Sequence, residues 1–173
     1  LTFVSQQIGS LLKRKVAEKR LHHQALHDAL TGLSNRTLFM DRINHALHKQ
    51  IRQNQFYSAI LYMDVDRFKG INDRYGHAVG DALLLAFAAK LQKLIRESDT
   101  VARLGGDEFA IFVEAIHSDD IPCILAKRII SALEQPVLVN EHAIHVGTSI
   151  GIAYLNDDKL TATEGIRRAD TAM

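Results

Sequence analysis

Thr100-Val101-Ala102-Arg103-Leu104-Gly105-Gly106-Asp107-Glu108-Phe109-Ala110-Ile111-Phe112-Val113 consists of two short apolar runs separated by a pair of glycines. Runs of this length and composition read as strands, and the glycines supply the backbone freedom of a tight turn. The stretch predicts a β-hairpin whose turn, with its two acids, lies at the edge of a sheet. Upstream, Phe56-Tyr57-Ser58-Ala59-Ile60-Leu61-Tyr62-Met63 is apolar throughout and too short for a typical helix. It predicts a strand buried on both faces, and therefore a central one.

Working outward, apolar residues at helical spacing predict a helix over about 37–53, carrying Leu38, Phe39, Ile43, Ala46 and Leu47, with Ser34 or Asn35 as its cap. A second helix is predicted over 81–97, through Leu84, Phe87, Ala88, Leu91, Leu94 and Ile95, after a glycine-punctuated loop over 75–80. A third starts at Asp119 or Asp120 with Pro122 in its first turn, continues through Ile124, Leu125, Ile129, Ile130 and Leu133, and stops at Pro136. Val137 to Val139 predicts a strand. The alternation of Ile144, Val146, Thr148, Ile150, Ile152 and Tyr154 predicts another with one face buried, before a last helix over 161–173. Strands and helices mixed in this order predict an α+β domain, a mostly antiparallel central sheet flanked by helices. Residues 1–26 are expected to form a linker helix, with Val4, Ile8, Leu11 and Leu12 as its stripe, and 27–173 the domain. That helix is either a solvated connector or a dimerising stalk that relays an upstream signal, and its stripe fades after Val16. Both ends fall inside helical patterns, so the chain is expected to be a piece of a longer polypeptide.

Composition narrows the function classes. In 173 residues, 21 lysines and arginines face 20 acids, for a net charge of +1, which gives no electrostatic reason to expect nucleic acid as a partner. Cys123 is the single cysteine, so no internal disulfide forms; it is expected as a small buried hydrophobe in a reducing, cytoplasmic compartment. No apolar run approaches the roughly 20 residues that span a bilayer.

The chemistry concentrates in two acidic turns. A buried apolar strand that ends in Asp64-Val65-Asp66 places charge where it is costly unless a cation or partner compensates it. Either these carboxylates hold Mg2+ through oxygen ligands, or Arg67 and Lys69 close the turn as salt-bridge partners. Gly105-Gly106-Asp107-Glu108 suits an ordinary hairpin equally well; its glycines also admit a bulky ligand and its acids a hard cation. The two turns on adjacent strands, with Lys69 beside them, describe a phosphoryl-transfer site.

Asp64-Val65-Asp66-Arg67-Phe68-Lys69, Ile71-Asn72-Asp73, Gly76-His77, Gly80-Asp81 and Arg103-Leu104-Gly105-Gly106-Asp107-Glu108-Phe109 together resemble the GGDEF diguanylate cyclases. Asp28-Ala29-Leu30-Thr31-Gly32-Leu33-Ser34-Asn35-Arg36 resembles the segment that opens the domain, and the wording of these motifs resembles GGDEF domains joined to an EAL phosphodiesterase. The resemblance covers about 26–173. It implies a palm-type, nucleotide-cyclase-like fold with a ferredoxin-like core, and the condensation of two GTP into cyclic di-GMP between two face-to-face domains.

Residue by residue, the resemblance implies Mg2+, or alternatively Mn2+, on Asp64, the Val65 carbonyl and Asp107, with Glu108 completing the acidic pair. Asp107 matches the general base and Lys69 the transition-state stabiliser. Asn72 and Asp81 match the guanine readers, His77 a substrate contact, and Phe68, Gly105 and Gly106 the rest of the substrate-binding surface. Arg96-Glu97-Ser98-Asp99 matches an RxxD product-inhibition site; without the family it reads as a helix-ending arginine with a capping aspartate. Implied partners are GTP, cyclic di-GMP, a second copy of the domain, an upstream sensor and a downstream EAL domain. The family's last helix continues past the position of Met173 to a lysine and an arginine on the phosphates. The alternative function is a catalytically silent module that binds GTP or cyclic di-GMP and regulates an attached domain. The histidines, His22, His23 and His27 among them, lack the cysteine or acidic shell of a metal cluster and are expected to be solvated.

Overall fold

The structure, a computed structural model, describes residues 14–15, 23–53, 57–139, 141–157 and 160–173. The predicted linker-helix stripe of Val4, Ile8, Leu11 and Leu12, and His22, lie outside the described residues. In chain order the elements are α1 (Arg36–Gln53), β1 (Tyr57–Val65), α2 (Phe68–Tyr75), α3 (His77–Leu94), β2 (Thr100–Gly105), β3 (Glu108–Ile116), α4 (Asp120–Leu133), β4 (Val137–Val139), β5 (His142–Ile144), β6 (Thr148–Leu155) and α5 (Ala162–Ala172).

Four strands form an antiparallel sheet in the order β2-β3-β1-β6, and β4 and β5 form a separate hairpin. β1 lies between β3 and β6, as its apolar run predicts, and the Gly105-Gly106 turn joins β2 to β3. Successive side chains of β1 point to opposite faces. Ile60 and Tyr62 join Phe39 and Ile43 of α1 and Ile166 of α5 in one core. Leu61 and Met63 join Leu83, Phe87 and Leu91 of α3 and Leu125 and Ile129 of α4 in the other. The Phe87 and Phe109 rings meet at 4.8 Å on that second face. At about 25 cal/mol per Å2 of apolar surface, these two buried layers are the main stabilising term.

The observed α1 is capped by Asn35, whose Oδ1 accepts from the Leu38 amide at 3.0 Å. Its Nδ2 donates to the Ala25 carbonyl at 2.8 Å and ties the entry segment down.

The structure corrects four expectations. Phe68–Tyr75 is a helix, and residues 77–80 are helical rather than loop, so α3 runs over 77–94 instead of 81–97. Only Gly76, at φ 86° and ψ 158°, interrupts the chain; Gly80 sits inside α3, where a Cβ would stand 1.9 Å from Asn72 Oδ1. The second correction concerns α4, whose buried stripe is Pro122, Leu125, Ala126, Ile129 and Leu133. Ile124 and Ile130 fall off this stripe and are 54% and 48% exposed. Cys123, third, is exposed rather than buried, its sulfur 3.6 Å from the Tyr154 hydroxyl.

Fourth, the alternating run from Ile144 to Tyr154 is not one strand. It divides at 145–147 into β5, on the small hairpin, and β6, on the main sheet. Within β6 the buried residues are Gly151, Ala153 and Leu155, while Ile150, Ile152 and Tyr154 are half-buried. Both faces of β6 are covered, by α5 on one side and by the α3/α4 core on the other, so alternation does not reveal which face is drier. Asp119 stands at the N-cap position of α4, but its side chain makes no capping bond there: the carboxylate accepts from the Tyr57 hydroxyl, pushing that phenol up to about 12, and its carbonyl accepts from Tyr154 at 2.7 Å.

Candidate functional site

The register of β1 decides which acids meet. Asp64 lies opposite Glu108 of β3 on one side and Ser149 of β6 on the other. The Val65 amide donates to the Asp107 carbonyl at 3.3 Å, bringing the hairpin turn against the end of β1. Thr148 donates to the Asp64 carbonyl at 2.5 Å, and Ser149 to Asp66 Oδ1 at 3.1 Å. Burial, followed by the charges of Asp66, Asp107 and Glu108, holds the Asp64 carboxyl above the ordinary aspartate range. Four acids thus share one field, which a cation would relieve.

Gly106 adopts φ 51°, the left-handed region that costs other residues roughly 1–2 kcal/mol. A Cβ at Gly105 or Gly106 would meet nothing within 4 Å, so open space lies over the turn. Arg103 fixes its shape from below. The guanidinium donates through Nε and one terminal nitrogen to the Gly106 carbonyl, at 2.9 and 2.7 Å, and through the other to Asp28 Oδ1 at 3.0 Å. Asp28 also accepts from the Thr31 amide and hydroxyl at 2.8 and 2.7 Å. Partial burial raises the Asp28 pKa, but the Thr31 and Arg103 hydrogen bonds and the Arg103 charge outweigh it, leaving the carboxyl below its usual range. The entry segment and the acidic turn are therefore one hydrogen-bonded unit.

Glu108 is engaged on the α1/α5 side of the sheet. Arg36 stands 3.9 Å from its carboxylate, and the Tyr62 hydroxyl, held well above its usual range by burial and then by Glu108, bonds to it. With Met40, Arg167 and Asp170 these residues line a cavity of about 530 Å3.

Across the turn, α2 and α3 gather the predicted base readers. Asn72 Oδ1 is buried and, among the described residues, lacks a hydrogen-bond partner. The absent side chain of Gly80 is what leaves room for Asn72 and for the Phe68 ring, whose Cζ would lie 3.2 Å from a Cβ there. Asp81 is exposed beside Gly80, His77 is exposed at the start of α3, and Lys69 is exposed on the first turn of α2. Arg96 and Asp99 close a turn on themselves, the Arg96 amide donating to Asp99 Oδ2 at 3.1 Å. Both line a cavity of about 480 Å3 against Ser34 of the entry segment and Arg42 of α1, and both border a smaller one with Arg128.

Among the described residues no three histidine, cysteine, aspartate or glutamate side chains form a metal cage. Mg2+ characteristically takes one or two carboxylates and completes its shell with water and phosphate. Asp64 and Asp107 with the Val65 carbonyl suit that half-shell, and the raised Asp64 is the observation that fits a cation. Sequence reasoning overlooked Thr148, Ser149, Arg36, Tyr62 and the roles of Asp28 and Arg103. Thr148 and Ser149 carried a signal only as small hydroxyls at the start of a strand paired with Asp64.

An antiparallel sheet of this order, flanked by helices and carrying acids at one end of its central strands β1 and β3, is the palm type of nucleotide-cyclase-like fold. Residues 25–173 match the family described as diguanylate cyclase, GGDEF domain, and the chain belongs to that family. It is 41% identical over 157 residues to the bifunctional diguanylate cyclase/cyclic di-GMP phosphodiesterase MucR of Pseudomonas aeruginosa, covering 91% of this chain but 23% of that protein. The crystal structure of the GGDEF domain of TpbB from the same species is 37% identical, with a TM-score of 0.78 over 82% of this chain and 88% of that one. A microbial GGDEF domain described in its interaction with cyclic di-GMP is 30% identical, with a TM-score of 0.73 over 88% of this chain and 90% of its own. Among the described residues no helix is long and apolar enough to cross a membrane.

Proposed function

We infer that this domain is a diguanylate cyclase, condensing two GTP into cyclic di-GMP with release of two pyrophosphates. The observation that carries the reading is the convergence of Asp64, Asp107 and Glu108 at the β1–β3 end, with Asp64 raised by burial and by its acidic neighbours. The names of MucR and of the TpbB relative, a diguanylate cyclase 40% identical over 154 residues, support it.

Asp64, the Val65 carbonyl and Asp107 would hold Mg2+ or Mn2+, which when bound polarises the substrate phosphate and neutralises charge. Asp107 takes the proton of the 3′-hydroxyl. That oxygen attacks the α-phosphorus of the GTP on a second domain, forming a phosphodiester bond as the α–β anhydride breaks and pyrophosphate leaves. Lys69 stabilises the charge that accumulates on the transferring group. Asn72 Oδ1, an acceptor left open, and the Asp81 carboxylate read the guanine N1–H and amino group, and His77 contacts the substrate. Gly105 and Gly106 leave room for the phosphates, and Phe68 backs Asn72. Each domain supplies half of the reaction, so a homodimer is the active species and proximity accounts for much of the rate. Product returns to Arg96 and Asp99, where a guanidinium fork and a carboxylate bind guanine and phosphate edges. In the full-length protein an upstream sensor sets the dimer geometry, and an EAL domain is the expected downstream partner.

The test is GTP turnover with Mg2+, read by chromatography, in a chain extended through the end of the last helix. Cyclic di-GMP formed at a rate that rises with dimer fraction is expected. Tight GTP binding with no product from a confirmed dimer would overturn the enzyme in favour of a regulatory module. Arg96→Ala is expected to relieve product inhibition while leaving the initial rate within about twofold.

A further inference from the structure

Behind the acidic turn lies a cavity of about 910 Å3 that the proposed reaction does not use, walled by α2, the end of α4, β5 and the 145–147 connector. The α2 side of its rim is basic. Arg67, at the residue before α2, and Arg74, in the last turn of α2, both line it, separated by about 10 Å of helix rise. Among the described residues no carboxylate lies within ion-pair distance of either guanidinium. Between them on the same side is Gly70, where a Cβ would meet nothing within 4 Å, so the floor between the two cations is open. His145 adds a third nitrogen-bearing group from the opposite wall.

Two acids also border the space. Asp66 is occupied by the Ser149 hydroxyl at 3.1 Å and lies against Gly147, where a Cβ would stand 2.4 Å from its Oδ2; Glu134 sits at the far end, on the residue that follows α4. The remaining wall is apolar and aromatic. Tyr75 presents a ring already in contact with Arg74, 5.1 Å from its centroid, and with the His142 ring at 5.0 Å, and Ile144 and Val146 continue the surface. Guanidiniums without a carboxylate partner beside an aromatic and aliphatic wall match a phosphate joined to a planar ring, because arginine binds phosphate in a fork and the ring covers the apolar side.

We propose that this cavity is a second nucleotide-class site, distinct from the acidic turn, that takes a phosphate monoester on Arg67 and Arg74 and packs its base against Tyr75 and Ile144. Occupancy would press on the Asp66–Gly147 contact, two register positions from Asp64, so the site is placed to bias the acidic turn.

Adenosine 5′-monophosphate is the probe, because it lacks the guanine edge that Asn72 and Asp81 are inferred to read. It is titrated into the 173-residue chain and followed by calorimetry and amide chemical shifts. Shifts at Gly70, Ile71, His145 and Gly147 are expected, with adenosine and inorganic phosphate each binding at least about tenfold more weakly. The double variant Arg67→Ala/Arg74→Ala, at two exposed positions, is expected to lose binding about tenfold or more while keeping its amide dispersion, and Asp81→Ala is expected to leave it unchanged. Absence of binding at millimolar ligand, retention by the folded double variant, or equal affinity for adenosine or inorganic phosphate would each overturn the proposal. Shifts at Asn72 that vanish with Asp81→Ala would overturn it too, by placing the ligand in the substrate site.

Discussion

The domain contains two hairpins of different character. The β2–β3 hairpin is built into the main sheet, carries two glycines and two acids at its turn, and is held from below by Arg103 and Asp28. The β4–β5 hairpin forms its own two-stranded sheet, buries Val137, Val139 and Ile144, and leaves Leu138 77% exposed. Only the first was legible as a strand pair, and only the first gathers charge into one field. A hairpin turn becomes a chemical site when its neighbours over-determine its shape and bring a second acid to it.

That contrast can be broken at several points. The largest effect is expected from Asp64→Asn and Asp107→Asn, each lowering cyclase turnover by at least about a thousandfold in a product assay. Asp64→Asn is also expected to raise the melting temperature at neutral pH by a few degrees, because it removes a charge that burial and like charges disfavour. The sign of the pH dependence follows: a carboxyl whose folded pKa is raised binds its proton more tightly in the folded state. Its contribution is therefore favourable below the unfolded pKa near 3.8 and is lost as pH rises through the folded value.

Gly80→Ala comes next. It forces Asn72 from its place and is expected to raise KM for GTP by about tenfold or more, with a smaller change in kcat, read from steady-state kinetics. Asp28→Asn and Arg103→Lys should each destabilise by about 1–2 kcal/mol in denaturant titrations, since a partly buried charged hydrogen bond is lost, and should slow turnover as the Gly106 carbonyl is released. Leu138→Ser, on the other hairpin, is expected to change stability by no more than about 0.5 kcal/mol and turnover not at all.

What the sequence revealed followed from local spacing. The apolar run of β1, the glycine pair and the stripe of α1 sit where their periodicities place them. α2 was invisible because none of its residues is fully buried, and its short apolar set of Phe68, Ile71 and Tyr75 is interrupted by Gly70 and followed by Gly76, which suggested a loop. Gly80 looked like a turn residue but is a packing residue. Cys123, Ile124 and Ile130 misled because the burying face of α4 starts at Pro122, one residue off. For the site, the motifs located the acids, but the Arg103–Asp28 contact joins residues 75 apart, and no local pattern announces it.

The absence of burial in α2 also bears on how the domain moves. β1 is hydrogen-bonded along both edges and sits in both cores, so its amides should exchange only when the whole domain opens. Asp64 and Val65 are the last residues of that strand, whereas Lys69 and Asn72 ride on a helix that has no fully buried residue and only packs the half-buried Phe68, Ile71 and Tyr75 against one core. The candidate site thus has one stiff jaw and one compliant jaw, and adjustment to a ligand falls to the compliant one.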